Sequence, residues 1–419
     1  MRRFAWSIAI LLTVIALFVA SDPQRARRAI FMATLFHGVD MTDEFAHMND
    51  LFPSRVVRTT DPIPLPEADA KVRLPETYRY AGESRNLRDF LDETDTSGLL
   101  VLRDGEIIHE EYALGSSAET TWISWSVAKS FVSALVGIAL DEGLFASVHD
   151  PITRYVPELR GSAYDGVAIE DILEMSSGAS WDEDYGDPTS DITRFGAGIV
   201  FGSSQDEFAA SLRRDREPGT YNRYNSTDTQ VLGMLLVRVT GRTLAAYTEE
   251  KLWKPLHMEH DAYWITDDPG MEIAFGGLNA TLRDYARFGE LYLQNGRYLG
   301  NQIVPAAWIR ASTIPGKPHL QPGRQPGSAS IFGYGYQWWT PPDGDEGEFS
   351  AIGVYNQFIY VNPARRVVIA KTSANHAYGK DESTDREVES LVVFRTIAHA
   401  VSDGAAMADR SAAGNADAE

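Results

Sequence analysis

The spacing of apolar positions changes twice along this chain, and the changes divide it. Leu99-Leu100-Val101-Leu102 is an unbroken apolar run, Arg103-Asp104-Gly105 is polar, and Glu106-Ile107-Ile108-His109-Glu110-Glu111-Tyr112 resumes the apolar pattern. Two such runs joined by Asp-Gly predict a β-hairpin. The period then becomes helical. Phe131, Leu135, Ile138 and Ala139 recur at helix spacing, Gly143 follows the last of them, and no proline interrupts. From Asp150 to about Thr313 the pattern stays mostly helical, with amphipathic stretches at Asp228 to Val239 and Thr281 to Gln294 that stop at Gly241 and Gly296. After a Gly/Pro-rich loop ending at Gly327 come three strand-like runs, Gly333 to Thr340, Phe349 to Val361 and Arg366 to Thr372, and a closing helix from Glu387 to Val401.

Hairpin and helix first, a helical middle, then strands and a last helix predict an α/β (α+β) fold. One antiparallel sheet is built from both ends of a domain spanning 86–401, with an all-helical insert at about 150–313. Residues 29–85, where Pro62, Pro64 and Pro66 alternate, read as an extended linker, and 402–419, rich in Ala, Gly, Asp and Ser, as a disordered tail. Arg2 and Arg3 precede an apolar run from Phe4 to Ala20. As a transmembrane helix it would be about 26 Å long, against a hydrocarbon core of roughly 30 Å. Residues 1–28 therefore read either as a signal peptide cleaved near Val19-Ala20-Ser21 or as a retained signal anchor. Both place the protein outside the cytoplasm, tethered to the periplasmic side of the inner membrane or, if cleaved, periplasmic or secreted.

Composition mainly excludes. A formal charge of −21 argues against nucleic acid as a partner. Without cysteine there is neither a disulfide nor a thiolate metal site. Nine histidines contain no His-Glu-x-x-His pair, and His257 and His260 lack a wider ligand set, so no metal and no cofactor are expected. A Gly-x-Ser-x-Gly elbow is absent, which removes the α/β-hydrolases.

What remains is Ser126-Val127-Ala128-Lys129, at the entrance of the Phe131 helix. Three residues apart on a helix, serine and lysine share one face. A serine hydroxyl is a poor nucleophile until a base takes its proton, and a lysine serves as that base once a dry setting lowers its pKa. Unpaired N–H groups at a helix entrance can also stabilise an oxyanion. Chance explains many Ser-x-x-Lys patterns, but no other lysine of this chain has a serine three positions earlier. A second stretch, Glu217-Pro218-Gly219-Thr220-Tyr221-Asn222-Arg223-Tyr224-Asn225-Ser226, leads into another helix. Tyr224 is either a packing aromatic or a proton shuttle, its phenol pKa lowered by a neighbouring ammonium. Trp122 and Trp125 either line an acyl pocket or fill core.

Taken together, these motifs resemble the serine β-lactamase and penicillin-binding-protein superfamily, and within it the class C-like esterases and the 6-aminohexanoate-dimer hydrolase type. Ser126 to Lys129 is similar to that family's first motif, and Tyr224-Asn225-Ser226 to its second. Leu173 to Gly178 and Gly276-Gly277-Leu278 are similar to further segments. The resemblance implies a five-stranded antiparallel sheet flanked by helices, with Ser126 as nucleophile, Lys129 as base partner and Tyr224 as relay. Two departures bear on substrate. The second motif ends in Ser226 where the β-lactamases carry Asn. The strand expected to carry Lys-Thr-Gly reads Ile352-Gly353-Val354-Tyr355, without a cation, and Lys371-Thr372-Ser373 falls one hairpin too late. By the hydrolase-type pattern, the backbone N–H groups of Ser126 and Val354 form the oxyanion hole. Trp125, Ser226, Gly353 and Tyr355 are then pocket candidates. The expected activity is hydrolysis of a small ester or linear amide. A D-Ala carboxypeptidase or β-lactamase, and a catalytically silent membrane-anchored binding protein, stand as alternatives.

Overall fold

A computed structural model describes residues 22–380 and 382–416, so the Phe4–Ala20 run lies outside the described residues. The 99–102 run lacks alternation because its strand is buried on both faces. Leu100 and Leu102 enter one core and Leu99 and Val101 another. That strand, Thr96–Arg103 (β1), pairs with Glu106–Tyr112 (β2) across Asp104 and Gly105, both at positive φ as a two-residue Asp-Gly turn requires. The later strands are Gly333–Tyr334 (β3), Trp339–Thr340 (β4), Phe349–Gly353 (β5), Gln357–Asn362 (β6) and Val367–Ser373 (β7). They join the hairpin in one antiparallel sheet of order β3-β4-β5-β6-β7-β1-β2. β7 lies against β1 with Val367 opposite Arg103 and Lys371 opposite Leu99, so the two ends of the domain meet inside the sheet, between its fifth and sixth strands.

Five strands were expected and seven are present. The extra pair is a short hairpin where Gly333 to Thr340 reads as one strand; Gln337 turns the chain at φ 64° and bonds the Leu173 carbonyl. Likewise Phe349 to Val361 is not one strand. It reverses at Val354–Asn356, where Tyr355 and Asn356 take φ of 61° and 65°. Both turns lie between apolar runs, and Gln337 and Asn356-Gln357 interrupt those runs too briefly to read as loops.

The main helices are Pro23–Thr34 (α1), Ala128–Asp141 (α2), Asp191–Phe201 (α3), Ser226–Thr240 (α4), Leu282–Leu293 (α5) and Glu387–Ala416 (α6). α2 and α5 share the core on one face of the sheet, with Phe131 stacked on Phe288 at 3.7 Å between ring centres. α6 covers the other face through Val393, Phe394 and Ile397, and its backbone continues past Val401 through the stretch expected to be disordered. The insert is not all-helical. Ala262–Ile265 and Leu278–Thr281 are strands that pair with each other, with Ser54–Val57 and with Thr121–Ile123. A four-residue apolar run such as Ala262-Tyr263-Trp264-Ile265 carries no period to separate strand from helix.

The expected linker is folded over much of its length. Asp22 caps α1 by accepting from the Arg25 amide at 2.9 Å, and Phe31, Leu35, Phe45, Met48, Leu51 and Phe52 all enter the main core. Between Val57 and Thr77, where Pro62, Pro64 and Pro66 fall, the chain has no helix or strand beyond an isolated bridge at Glu67.

Candidate active site

The chain enters α2 through a single 3₁₀ turn, Trp125–Val127, and this turn presents Ser126. Trp125 sits at φ 45°, left-handed backbone that a bulky residue adopts only when its surroundings enforce it. One turn on, Lys129 Nζ lies 2.9 Å from Ser126 Oγ and 2.9 Å from the Phe275 carbonyl. The ring centres of Tyr224 and Phe275 stand 4.9 and 5.1 Å from the same nitrogen. Lys129 is only 1% exposed, and burial pulls its pKa down to about 7 against the opposing pull of Glu183. Near neutral pH the uncharged amine, able to accept the serine proton, is thus readily available.

Tyr224 reaches the cluster from the loop before α4. That loop is held by Arg223 N donating to the Met175 carbonyl at 2.9 Å and by the Asn225 side chain capping α4 at the Thr227 amide. The Tyr224 ring stacks on Trp339 at 5.3 Å. Its phenol does not behave as expected. Burial, with Tyr334 and Glu183, pushes its pKa well above 10, and the hydrogen bond with Ser126 only partly offsets this. A lysine whose own charged form is disfavoured by burial has little charge with which to ionise the phenol. Tyr224 therefore keeps its proton and is equipped to donate it.

Gly353 lies behind the serine. A Cβ on it would stand 2.7 Å from the Ser124 carbonyl and 3.1 Å from the Ser126 amide, so only glycine lets the end of β5 lie this close. This brings Val354 onto the same cavity wall as Trp125 and Ser126. The two remaining pocket candidates belong elsewhere. Tyr355 is buried behind Trp125, stacked on Phe36 and Tyr378, with its hydroxyl accepting from the Phe36 amide at 2.8 Å. Ser226 is buried at the start of α4 and gives its hydroxyl (2.6 Å) and amide (3.1 Å) to Glu183.

Glu183 was not legible in the sequence. It lies in the acidic, aperiodic stretch Trp181 to Asp187 that reads as solvated loop. In the fold it accepts from Trp181 Nε1, the Tyr185 hydroxyl and Ser226, and its charge acts on both Lys129 and Tyr224. Lys371 lies on β7 in line with Val367 and Ile369, which belong to the core under α6, and bonds Ser373 Oγ at 2.7 Å. Among the described residues, one group of carboxylates is close enough to hold a cation: Glu170, Asp171 and Glu174. Lys317 Nζ already lies within 3.2 Å of all three.

An antiparallel sheet, a mostly helical insert and a buried Ser-Lys-Tyr cluster between them define an enzyme of the hydrolase class. The chain belongs to the beta-lactamase family, whose profile matches residues 84–394. It is 32% identical over 340 residues to the 6-aminohexanoate-dimer hydrolase of Paenarthrobacter ureafaciens, covering 79% of this chain and 84% of that one. Among solved structures, a Bacillus anthracis chain provisionally named a 6-aminohexanoate-dimer hydrolase superposes with a TM-score of 0.77 at 24% identity, covering 87% of this chain and 95% of its own. A family VIII carboxylesterase shares the fold at a TM-score of 0.54 and 17% identity, over 74% of this chain and 95% of that one.

Proposed function

We propose that this enzyme hydrolyses neutral esters and linear amides through an acyl-enzyme on Ser126. The observation that carries the reading is the 2.9 Å contact between Ser126 Oγ and a buried lysine whose pKa is about 7. The neutral Lys129 amine takes the hydroxyl proton as Oγ attacks the acyl carbon. The amide N–H groups of Ser126 and Val354 receive the oxyanion. Tyr224, still protonated, passes a proton to the leaving alcohol or amine and is refilled from Lys129. Water then repeats the sequence on the acyl-serine and releases the acid.

The substrate class follows from the end of β5. Ile352, Gly353 and Val354 offer no cation for a carboxylate beside the scissile bond, and Lys371 serves the opposite face of the sheet. Losing a charge-assisted hydrogen bond to that carboxylate costs about 1.5–3 kcal/mol, or one to two decades in specificity. Esters should therefore exceed cephalosporins in kcat/KM, with linear amides between. A serine-directed phosphonate should label the protein but not Ser126→Ala. Rapid cephalosporin turnover without esterase activity would reverse the assignment, and absence of labelling would favour a binding protein.

The Phe4–Ala20 run supports a body held on the exported side of a membrane. Fractionation of cells should find the full-length chain with membranes, and a form beginning at Asp22 should be released. Recovery of the full-length chain in the cytosol would refute this.

A further inference from the structure

Ser126, Trp125 and Val354 line a cavity of about 520 Å³. Its wall also takes Phe31 and Met32 from α1, and Phe195, Ile199 and the 71% exposed Phe201 from α3. No Lys, Arg, Asp or Glu is among the described residues that line it. The two helices touch closely, for a Cβ on Gly196 would stand 2.3 Å from Met32 Cε. α1 is pinned in place by Arg25 and Arg28, which bond Asp268 at 3.0 and 3.1 Å, and by Arg28 Nε on the Leu51 carbonyl at 2.6 Å. The α1 wall precedes residues 84–394, so it is not part of the matched family region.

We infer that this cavity takes the acyl chain of the substrate, and that the chain is a long, uncharged aliphatic one. The inference rests on the acyl-enzyme reading and adds the identity of the acyl group. About ten methylenes, each occupying near the ~30 Å³ of a water molecule, fit comfortably within the volume. A chain ending in an ammonium, as in the acyl half of a 6-aminohexanoate dimer, would lay its charge against Phe, Ile and Met with no carboxylate on the lining to pair it. In the acylation step the Ser126 Oγ–carbonyl bond forms, the bond to the alcohol oxygen breaks, and the alcohol leaves with a proton. Hydrolysis then frees the fatty acid.

The test is a series of p-nitrophenyl esters from acetate to dodecanoate, below their micellar concentrations, on the full chain. kcat/KM should climb by roughly two- to fourfold per methylene to a maximum near decanoate. An octanoate ester bearing a terminal ammonium should react at least about 100-fold more slowly than octanoate itself. Ala197→Trp, which fills the cavity from α3, should move the optimum to shorter chains; Ala29→Phe does so from α1 if the first variant does not fold. An optimum at acetate or butyrate, or equal rates for the charged and uncharged octanoates, overturns the inference while leaving Ser126 chemistry intact. If no ester reacts and a decyl phosphonate fails to label Ser126, both readings fall.

Discussion

Replacing Lys129 with methionine should abolish hydrolysis and yet stabilise the fold. The amine is buried at the centre of the site, and its pKa falls from 10.5 to about 7 because burial disfavours the charged form. Below pH 7 that difference opposes folding by ~5 kcal/mol. Between about pH 7 and 10.5 the unfolded chain binds a proton at this position that the native state does not. Wild-type stability should therefore rise with pH by about 1.4 kcal/mol per unit from this group, and the penalty is gone above 10.5. Lys129→Met removes the titration and keeps most of the volume, so packing changes little. It also strips a partner from the Phe275 carbonyl and from Ser126 Oγ, which returns ~1–3 kcal/mol of the gain. The net expectation is about 1.5–3.5 kcal/mol of added stability at pH 7, shrinking through zero as pH approaches 10. Urea unfolding of both proteins at pH 7, 8, 9 and 10 measures this directly, with Ser126→Ala as the control that keeps the lysine. Parallel stability curves for wild type and Lys129→Met would refute the reasoning. The native amine would then be solvated and charged, and no base for Ser126 would remain.

In wild type, kcat/KM should rise through about pH 7 as Lys129 loses its proton, an apparent value that belongs to the Ser-Lys-Tyr group jointly; a profile flat from pH 5 to 9 would contradict the lysine assignment. Tyr224→Phe should keep the stacking on Trp339 and the melting temperature but lose roughly 10²–10⁴-fold in kcat, and near-normal turnover would remove the relay. Gly353→Val should displace the end of β5 from the Ser124 carbonyl, cutting kcat at least about 100-fold with the circular dichroism spectrum retained; unaffected kcat would show that β5 is not part of the oxyanion site. Arg28→Ala frees α1 from the Leu51 carbonyl and removes one of its two links to Asp268, Arg25 keeping the other, and should cost about 1–3 kcal/mol, read as a lower Tm and faster amide exchange across Pro23–Thr34.

The parts of this protein written in periodic runs were legible without coordinates. α2, α4 and α5 follow from a period of about 3.6 bounded by Gly, the β1–β2 hairpin from two apolar runs joined by Asp-Gly, and the joining of late strands to the early hairpin from the order of the elements. The failures share a cause. At Gln337 and at Tyr355-Asn356 the chain turns using non-glycine residues at positive φ between apolar stretches, and Gly335, Gly353 and Asn356 are too scattered there to announce the reversal as a Gly-Pro or Asp-Gly pair does. The fold enforces those angles from outside. Gln337 is fixed by the Ile172 and Leu173 carbonyls, and Tyr355 by a stack of aromatic rings.

The site divides along the same line. Ser126 and Lys129 are local, one helical turn apart, and spacing alone brings them together. Glu183 and the α1 wall join the site from distant segments, and neither carries a motif. α1 also explains why Tyr355, expected in the pocket, is behind it. Phe36, just after α1, accepts the Tyr355 ring at 5.1 Å and donates its amide to the hydroxyl, while Phe45 meets the ring edge-on at 4.8 Å. Residues before the matched region thus close the back of the turn that carries Val354 and press on Trp125, next to the nucleophile. The segment that reads as a linker both encloses the acyl cavity and braces the strained backbone of Trp125, next to Ser126. Its removal should therefore alter catalysis as well as solubility.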